Sequence, residues 1–290
     1  MTTISAGVDV GTGYAGRSRV RLSHPSGGTA AVYPKGGHVL SWRHPTGEVL
    51  FLSARTDAHQ ETHAGIPVVF PQFGKGVGTA NGPLPQHGFA RTSIWEIGGR
   101  GVDMAGRATA TLSLRPSPDS TRLWPHDFRL LLDVSLGATL NLTMRVTNTG
   151  PAPLEFTCGL HSYFRVADAR TARVEGLQGM RYRDKTANWA ESIDTSPALS
   201  PNGETDRVYL GAPPALRLRD ANRSLQIESS GFANTVVWNP GPGSDAKFNF
   251  APGEWSRFIC VEPATVFDPV TLQPEQSWRG EHTITVERGD

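Results

Sequence analysis

Sustained 3.6-residue apolar periodicity is nearly absent from this chain, and that constrains its fold more than any other feature of the sequence. In its place, short runs rich in β-branched, aromatic and leucine side chains recur from end to end, separated by Gly, Pro, Asn and Asp. Examples are Ala30 to Tyr33, Thr109 to Leu114, Leu130 to Leu136, Leu140 to Val146, Leu225 to Ile227 and Phe258 to Val261. Several alternate with period two. From Asn141 to Val146, for instance, Leu142, Met144 and Val146 share one face, and Asn148-Thr149-Gly150-Pro151 then reads as a turn. The 32 glycines and 22 prolines make 54 of 290 residues, above an average usage of roughly 12%. So many turns between short alternating runs predict an all-β chain, a large antiparallel β-sandwich rather than βαβ units. Only Leu52 to Glu61 reads as a short helix, with Ser53 as its N-cap.

No repeat or long linker divides the chain, so residues 1–290 read as a single domain. The stretches Gly74 to Gly82 and Asn239 to Asp245 look like long loops on that scaffold, where sites tend to be built. Lys plus Arg is 28 against 27 Asp plus Glu, a formal charge of +1. That balance lacks the basic excess a nucleic-acid or anionic-membrane partner requires. Any anion must be met by a few placed arginines. The N-terminus has no basic start followed by an apolar run, and no stretch approaches ~18 consecutive apolar residues, so neither export nor a membrane span is expected. Cys158 and Cys260 are too few for a disulfide framework and read as reduced thiols of a soluble cytoplasmic protein.

Three segments carry chemistry. The first runs from His63 through Gly65-Ile66-Pro67 and Gln72 to Gly74, then from Leu84 to Arg91. Pro67 and Pro71 forbid an undisturbed central strand there, and Gly88 between His87 and Phe89 signals a tight backbone. His87 and Arg91 beside a glycine-rich loop could donate to sugar hydroxyls or a phosphate, or could be solvated loop residues. In the second segment, Thr157 to Phe164, His161 stands alone in apolar and aromatic surroundings. It suits a general acid near neutral pH, and equally a hydrogen-bonded core histidine. The third is Ser256 to Ala264, where alternation puts Phe258, Cys260 and Glu262 on one face and Ile259 and Val261 on the other. Glu262, near the end of a buried strand, is either a base made stronger by burial or a structural partner of an arginine such as Arg257. A fourth, weaker segment offers Asp206 for sugar hydroxyls and Trp238 for the apolar face of a sugar; an acidic turn and a core tryptophan explain them as well.

Taken in order, these segments resemble the aldose 1-epimerase superfamily, above all its hexose-6-phosphate mutarotase branch. The resemblance runs from Ala31 to Val286. It rests on Ser41-Trp42 with Leu50 to Ser53, Gly65-Ile66-Pro67 through Gly74, Gln86 to Arg91, Leu160 to Phe164, Glu204 to Tyr209, Val236 to Pro240 and Phe258 to Glu262. It implies a β-supersandwich with an open cleft, His161 as general acid, Glu262 as general base, and a substrate held by His87, Arg91 and Asp206, with Gln72, Trp238 and His63 beside them. It implies a sugar or sugar phosphate as the only partner. Neither metal nor nucleotide is called for, which fits a chain with no phosphate loop before a helix and no Cys/His metal spacing.

Acid and base must serve one hemiacetal, so His161 and Glu262 are expected to face each other across a sugar ring, roughly 5–8 Å apart. At one position the chain departs from the phosphate-handling branch. Where that branch usually has Arg-Gly-Gly before Ile-Pro, this chain has His63-Ala64-Gly65. An imidazole does not replace a planar, permanently charged guanidinium. Arg91 is then left to meet a phosphate, aided by His87, Lys75 or backbone N–H groups of the Gly74 to Gly82 loop. Rival readings are a mutarotase of free aldoses and a carbohydrate-binding protein without turnover.

Overall fold

Burial alternates along the strands as the sequence period requires. In the computed structural model, Ala108–Leu114, Phe128–Leu136 and Leu140–Asn148 bury every second side chain over most of their length. The structure describes residues 5–56, 63–76, 78–79, 82–221 and 223–287. These three strands lie side by side in a nine-stranded antiparallel sheet, which continues through Ser277–Glu287, Arg223–Ser230 and Ala215–Asp220. An eight-stranded sheet runs from Ala190–Ile193 through Arg181–Asp184, Thr205–Leu210, Asn234–Asn239, Phe258–Leu272 and Leu154–Leu160 to Val68–Val69, with Tyr163–Arg165 also paired to Phe258–Leu272. A five-stranded sheet covers residues 7–48. Pro67 and Pro71 do limit their segment to the two-residue edge strand Val68–Val69. No helix among the described residues is long and apolar enough to cross a membrane.

The eight-stranded sheet is apolar on both faces, and this places the site. Ile259, Val261 and Val237 point into the main core, which also takes Leu130, Leu142 and Ile284 from the nine-stranded sheet and Val20 and Leu22 from the five-stranded one. The alternate residues, Val208, Val236, Trp238, Phe258, Cys260 and Ala264, form a second cluster on the opposite face with Phe51, Tyr163 and Phe250. A sheet face that packs no further sheet yet is lined with aromatic rings is a floor for a ligand.

Three sequence expectations change. Leu52 bridges to Ala64, and Thr56 N donates to Ser53 O in a turn, so 52–56 is not helical; residues 57–62 of that expected helix lie outside the described ones. The α-helix that does form, Pro118–Leu123, is a single capped turn at Ser117, too short to leave a 3.6-residue signature. Glu262 is not near a strand end, because Phe258–Leu272 continues through Pro263 and Pro269 across a register shift opposite 156–158. Asp206 belongs to the strand Thr205–Leu210 and not to an acidic turn.

Two histidines are built into the core as neutral groups. His282 shares a 3.0 Å hydrogen bond with Ser162 Oγ, and a ring nitrogen of His38 lies 2.8 Å from Ala64 O. Burial lowers both from 6.5 to about 4. Their neutral form is favoured in the fold, so the unfolded chain takes up protons first as pH falls. The stability they hold is intact above pH 6.5 and is lost on the way down to about pH 4. Each is expected to cost on the order of 2 kcal/mol between pH 7 and pH 5. Urea midpoints across that range should fall, and His282→Leu, which leaves Ser162 Oγ donating to Leu160 O, should flatten the slope relative to wild type. Identical slopes in the two proteins would place the acid sensitivity elsewhere.

Candidate active site

Strand register assembles the site. Residues opposite each other in antiparallel strands project to the same face. Asp206 pairs with Trp238, Trp238 with Cys260 and Cys260 with Tyr163, which sets one row across four strands. The next row is Val208, Val236 and Glu262. Leu154–Leu160 ends just before His161, whose backbone N–H donates to Pro67 O, so the short edge segment bounded by the prolines fixes this residue. The His161 ring stacks on Tyr163, with centroids 4.7 Å apart and planes 11° apart, and meets the edge of Trp238 at 5.8 Å.

His161 Nδ1 lies 3.3 Å from Glu262 Oε1, although 101 positions separate the residues in the chain. The pair is therefore in direct contact rather than spaced across a ring as expected. The anomeric oxygen and the ring oxygen are bonded to the same carbon, so an acid and a base serving both need not stand on opposite sides of the sugar. Glu262 is 1% exposed and pairs with no arginine among its described contacts; Arg257 donates instead to Ala167 O. Burial, then the Asp206 charge, push the Glu262 carboxyl well above the usual carboxylate range against a smaller pull from Lys185. Burial, then His87, Arg91 and His63, hold His161 well below its ordinary value. The two proton affinities thus move toward each other, which suits a pair that must pass one proton back and forth.

His87 joins them, its ring edge-on to His161 at 5.5 Å and to Phe73 at 5.1 Å. Burial, then the neighbouring Arg91, Lys185 and His63, lower its pKa to about 3. Its positive φ of 63° and that of Gly88, 72°, make the tight turn the sequence signalled. A Cβ on Gly88 would stand 2.1 Å from Phe70 O, so only glycine fits there. Arg91 sits in the single turn Ala90–Thr92, where Nη2 donates to Gln86 O; its charge lowers His161, His87, His63 and His38 alike and so bears on the whole histidine group.

His63 is packed against Phe250 at 5.0 Å, with Phe248 and Tyr163 slightly farther. Burial and Arg91 lower it to about 4, so it is uncharged at neutral pH. Gln72 points its amide nitrogen at the carbonyls of Gly74 and Lys75, folding the glycine-rich loop. Lys75 is exposed, and its contact with these residues is through its backbone carbonyl, which accepts from Gln72.

Asp206 accepts a 2.6 Å hydrogen bond from Lys185 Nζ. Lys185 is the cation that sequence reading missed. It follows the strand Arg181–Asp184, and pairing of Asp184 with Arg207 brings it beside Asp206 from 21 positions away. No local motif marks it. Tyr163, Phe248 and Phe250 were also passed over, since each alone reads as ordinary core.

Comparison with known proteins identifies the family. A curated relative from Cenchrus ciliaris, provisionally named glucose-6-phosphate 1-epimerase, is 36% identical over 280 residues, covering 92% of this chain and 84% of its own. A crystal structure from Salmonella typhimurium, of a protein provisionally described as a mutarotase, superposes with a TM-score of 0.85 at 29% identity over 97% of both chains. A galactose 1-epimerase from Lactobacillus acidophilus shares the fold, with a TM-score of 0.77 at 13% identity over 99% of this chain and 100% of its own. The family model described as Aldose 1-epimerase matches residues 18–285, every strand of the eight-stranded sheet included, and the chain belongs to that family of isomerases.

Proposed function

We propose that the protein is a mutarotase that interconverts the α and β anomers of a hexose 6-phosphate, with Glu262 as base and His161 as acid. The observation that carries this reading is the contact of a buried carboxylate and a buried imidazole, 3.3 Å apart, on an aromatic floor. Glu262 takes the proton of the anomeric hydroxyl while His161 protonates the ring oxygen. The ring opens to the aldehyde, C1 turns about the C1–C2 bond, and closure on the other face returns both protons with the roles reversed. Each positioned proton transfer is worth about 10²–10⁴-fold. Trp238 and Tyr163 offer apolar faces to the pyranose, and Asp206, held by Lys185, accepts from its hydroxyls. His87 donates to a sugar oxygen as a neutral ring, and Arg91 supplies charge for the phosphate.

The relatives named for glucose 6-phosphate support the phosphorylated substrate. We read the chain as one domain, because one apolar cluster draws on all three large sheets. The partner is a small sugar rather than a nucleic acid, given a net charge of +1. Two buried free thiols, Cys158 and Cys260, suit the reducing cytoplasm. Saturation-transfer NMR of anomer exchange on glucose, galactose and their 6-phosphates tests the reading; absence of exchange on all four sugars would leave the carbohydrate-binding alternative.

His63 favours a second reading, a mutarotase of free aldoses, because its neutral ring stands where phosphate-handling relatives usually carry arginine. His63→Arg discriminates. A guanidinium packed among Phe248, Phe250 and Tyr163 keeps its charge and can stack on their faces. If the phosphate reaches this wall of the cleft, the variant should raise the preference for glucose 6-phosphate over glucose by ~10-fold, and less at high ionic strength. An unchanged preference would place the phosphate away from residue 63.

A further inference from the structure

We infer that His161, Cys260 and Glu262 together form an inhibitory site for a thiophilic divalent cation, Zn²⁺. A ring nitrogen, the Cys260 sulfur and a carboxylate oxygen lie within 4.8 Å of one another, and all three residues are buried. Tetrahedral zinc with bonds near 2.0–2.3 Å holds its ligand atoms roughly 3.3–3.8 Å apart. His161 Nδ1 and Glu262 Oε1 already stand at 3.3 Å. The third ligand must close from at most 4.8 Å to the same spacing.

Two further observations point to a ligand here. Glu262 Oε2 is buried with no hydrogen-bond partner, and His161 Nδ1, 3.3 Å from Oε1, makes no well-aligned hydrogen bond, a condition folded proteins rarely tolerate without a bound group to relieve it. A divalent ion accepts electron pairs from both. Charge also favours it: a thiolate, a carboxylate and a neutral imidazole around Zn²⁺ sum to zero, so the filled site is neutral in an apolar pocket. Burial, with the charges of Glu262 and Asp206, keeps the Cys260 thiol protonated. The metal displaces that proton to solvent as the S–Zn bond forms, and likewise any proton held on Glu262. Three protein ligands leave a fourth position open for water or a sugar oxygen.

Arg91 and Lys185, whose charges reach His161 and Glu262, oppose a cation, so the affinity expected is roughly micromolar and far below that of structural zinc sites. Mg²⁺, which prefers oxygen ligands, should not compete. Inhibition follows from the proposed function, since the metal occupies the lone pairs that move the proton. Binding itself rests on the geometry alone.

The test is calorimetric titration of the metal-free protein with Zn²⁺, absorption spectra with Co²⁺ as a stand-in, and anomer exchange at each Zn²⁺ concentration. Expected are one equivalent bound, a thiolate-to-Co²⁺ charge-transfer band, inhibition relieved by chelator, and no effect of Mg²⁺. Cys260→Ala should lose the band and bind Zn²⁺ ~10-fold or more weakly, its inhibition being read relative to its own metal-free exchange rate. Cys158→Ala should change none of this. A wild-type protein without the band, or a Cys260→Ala variant still inhibited at the wild-type concentration, overturns the inference. Zinc binding with the band but no anomer exchange on any sugar would instead overturn the proposed function and leave the metal site standing.

Discussion

Glu262→Gln should lower anomer exchange by ~10²-fold or more while sugar binding largely survives. Glutamine keeps the shape of the side chain and its place beside Val236 in the strand register, but has no lone pair basic enough to take the anomeric proton. Glu262 is 1% exposed and its carboxyl is pushed up by burial, so the fold gains nothing from its charge. The variant should therefore melt at or above the wild-type temperature, since a neutral amide is cheaper to bury than a carboxylate. Lost exchange with kept binding and kept stability separates a base from a structural carboxylate. His161→Asn is the matching variant for the acid. Its stacking on Tyr163 is lost too, so its stability has to be measured beside its rate. Near wild-type exchange in Glu262→Gln would make the carboxylate structural.

The contact between His161 and Glu262 bears on how the site works before a sugar arrives. Both groups are starved of water, so separated charge on the pair is disfavoured and a single shared proton is the stable inventory. The same single proton is what the reaction consumes and returns in each half. A sugar whose anomeric oxygen reaches Glu262 and whose ring oxygen reaches His161 replaces the direct contact with two hydrogen bonds to substrate. In the proposed reaction the apolar floor of Tyr163 and Trp238 would keep competing water from those bonds.

Much of this was legible in the chain because β-structure writes a two-residue period wherever its two faces differ. The split of Phe258, Cys260 and Glu262 from Ile259 and Val261 follows from alternation alone, and the two apolar clusters divide along it. Glycine at 88 and prolines at 67 and 71 announced the edge segment, because each excludes most backbone alternatives. Where sequence reading stopped was register. Lys185 meets Asp206 only because Asp184 pairs with Arg207, and nothing near Lys185 encodes that pairing. The expected helix at 52–61 fails over its described part, 52–56, for a similar cause: Leu52 finds a partner in Ala64, and such long-range pairing overrides local propensity. The expected 5–8 Å gap between acid and base failed on chemistry rather than on sequence, since it assigned the two oxygens of one carbon to opposite sides of a ring.

Arg91→Met should remove most of the preference for a 6-phosphate over the free sugar, lowering affinity for the phosphate by ~10–150-fold with little change for glucose. Positive charge near the histidine group is scarce at neutral pH. His63 and His87, lowered to about 4 and about 3, carry none at neutral pH. Lys185 is already paired with Asp206 at 2.6 Å. Arg91 keeps its charge at any pH beside these neutral rings, and one charge-assisted contact to a phosphate is worth about 1.5–3 kcal/mol. That figure also bounds the wild-type preference at about 10²-fold, and salt should erode it. The substitution carries its own internal control. Arg91 lowers His161, His87 and His63, so its removal must raise all three, and proton NMR titration of the histidines should show His63 moving up from about 4. Raised histidines with an unchanged phosphate preference would mean that the guanidinium faces the histidines but not the substrate. The matching variant Lys185→Met would then be expected to lose the preference, and the phosphate would belong on the Asp206 side of the cleft.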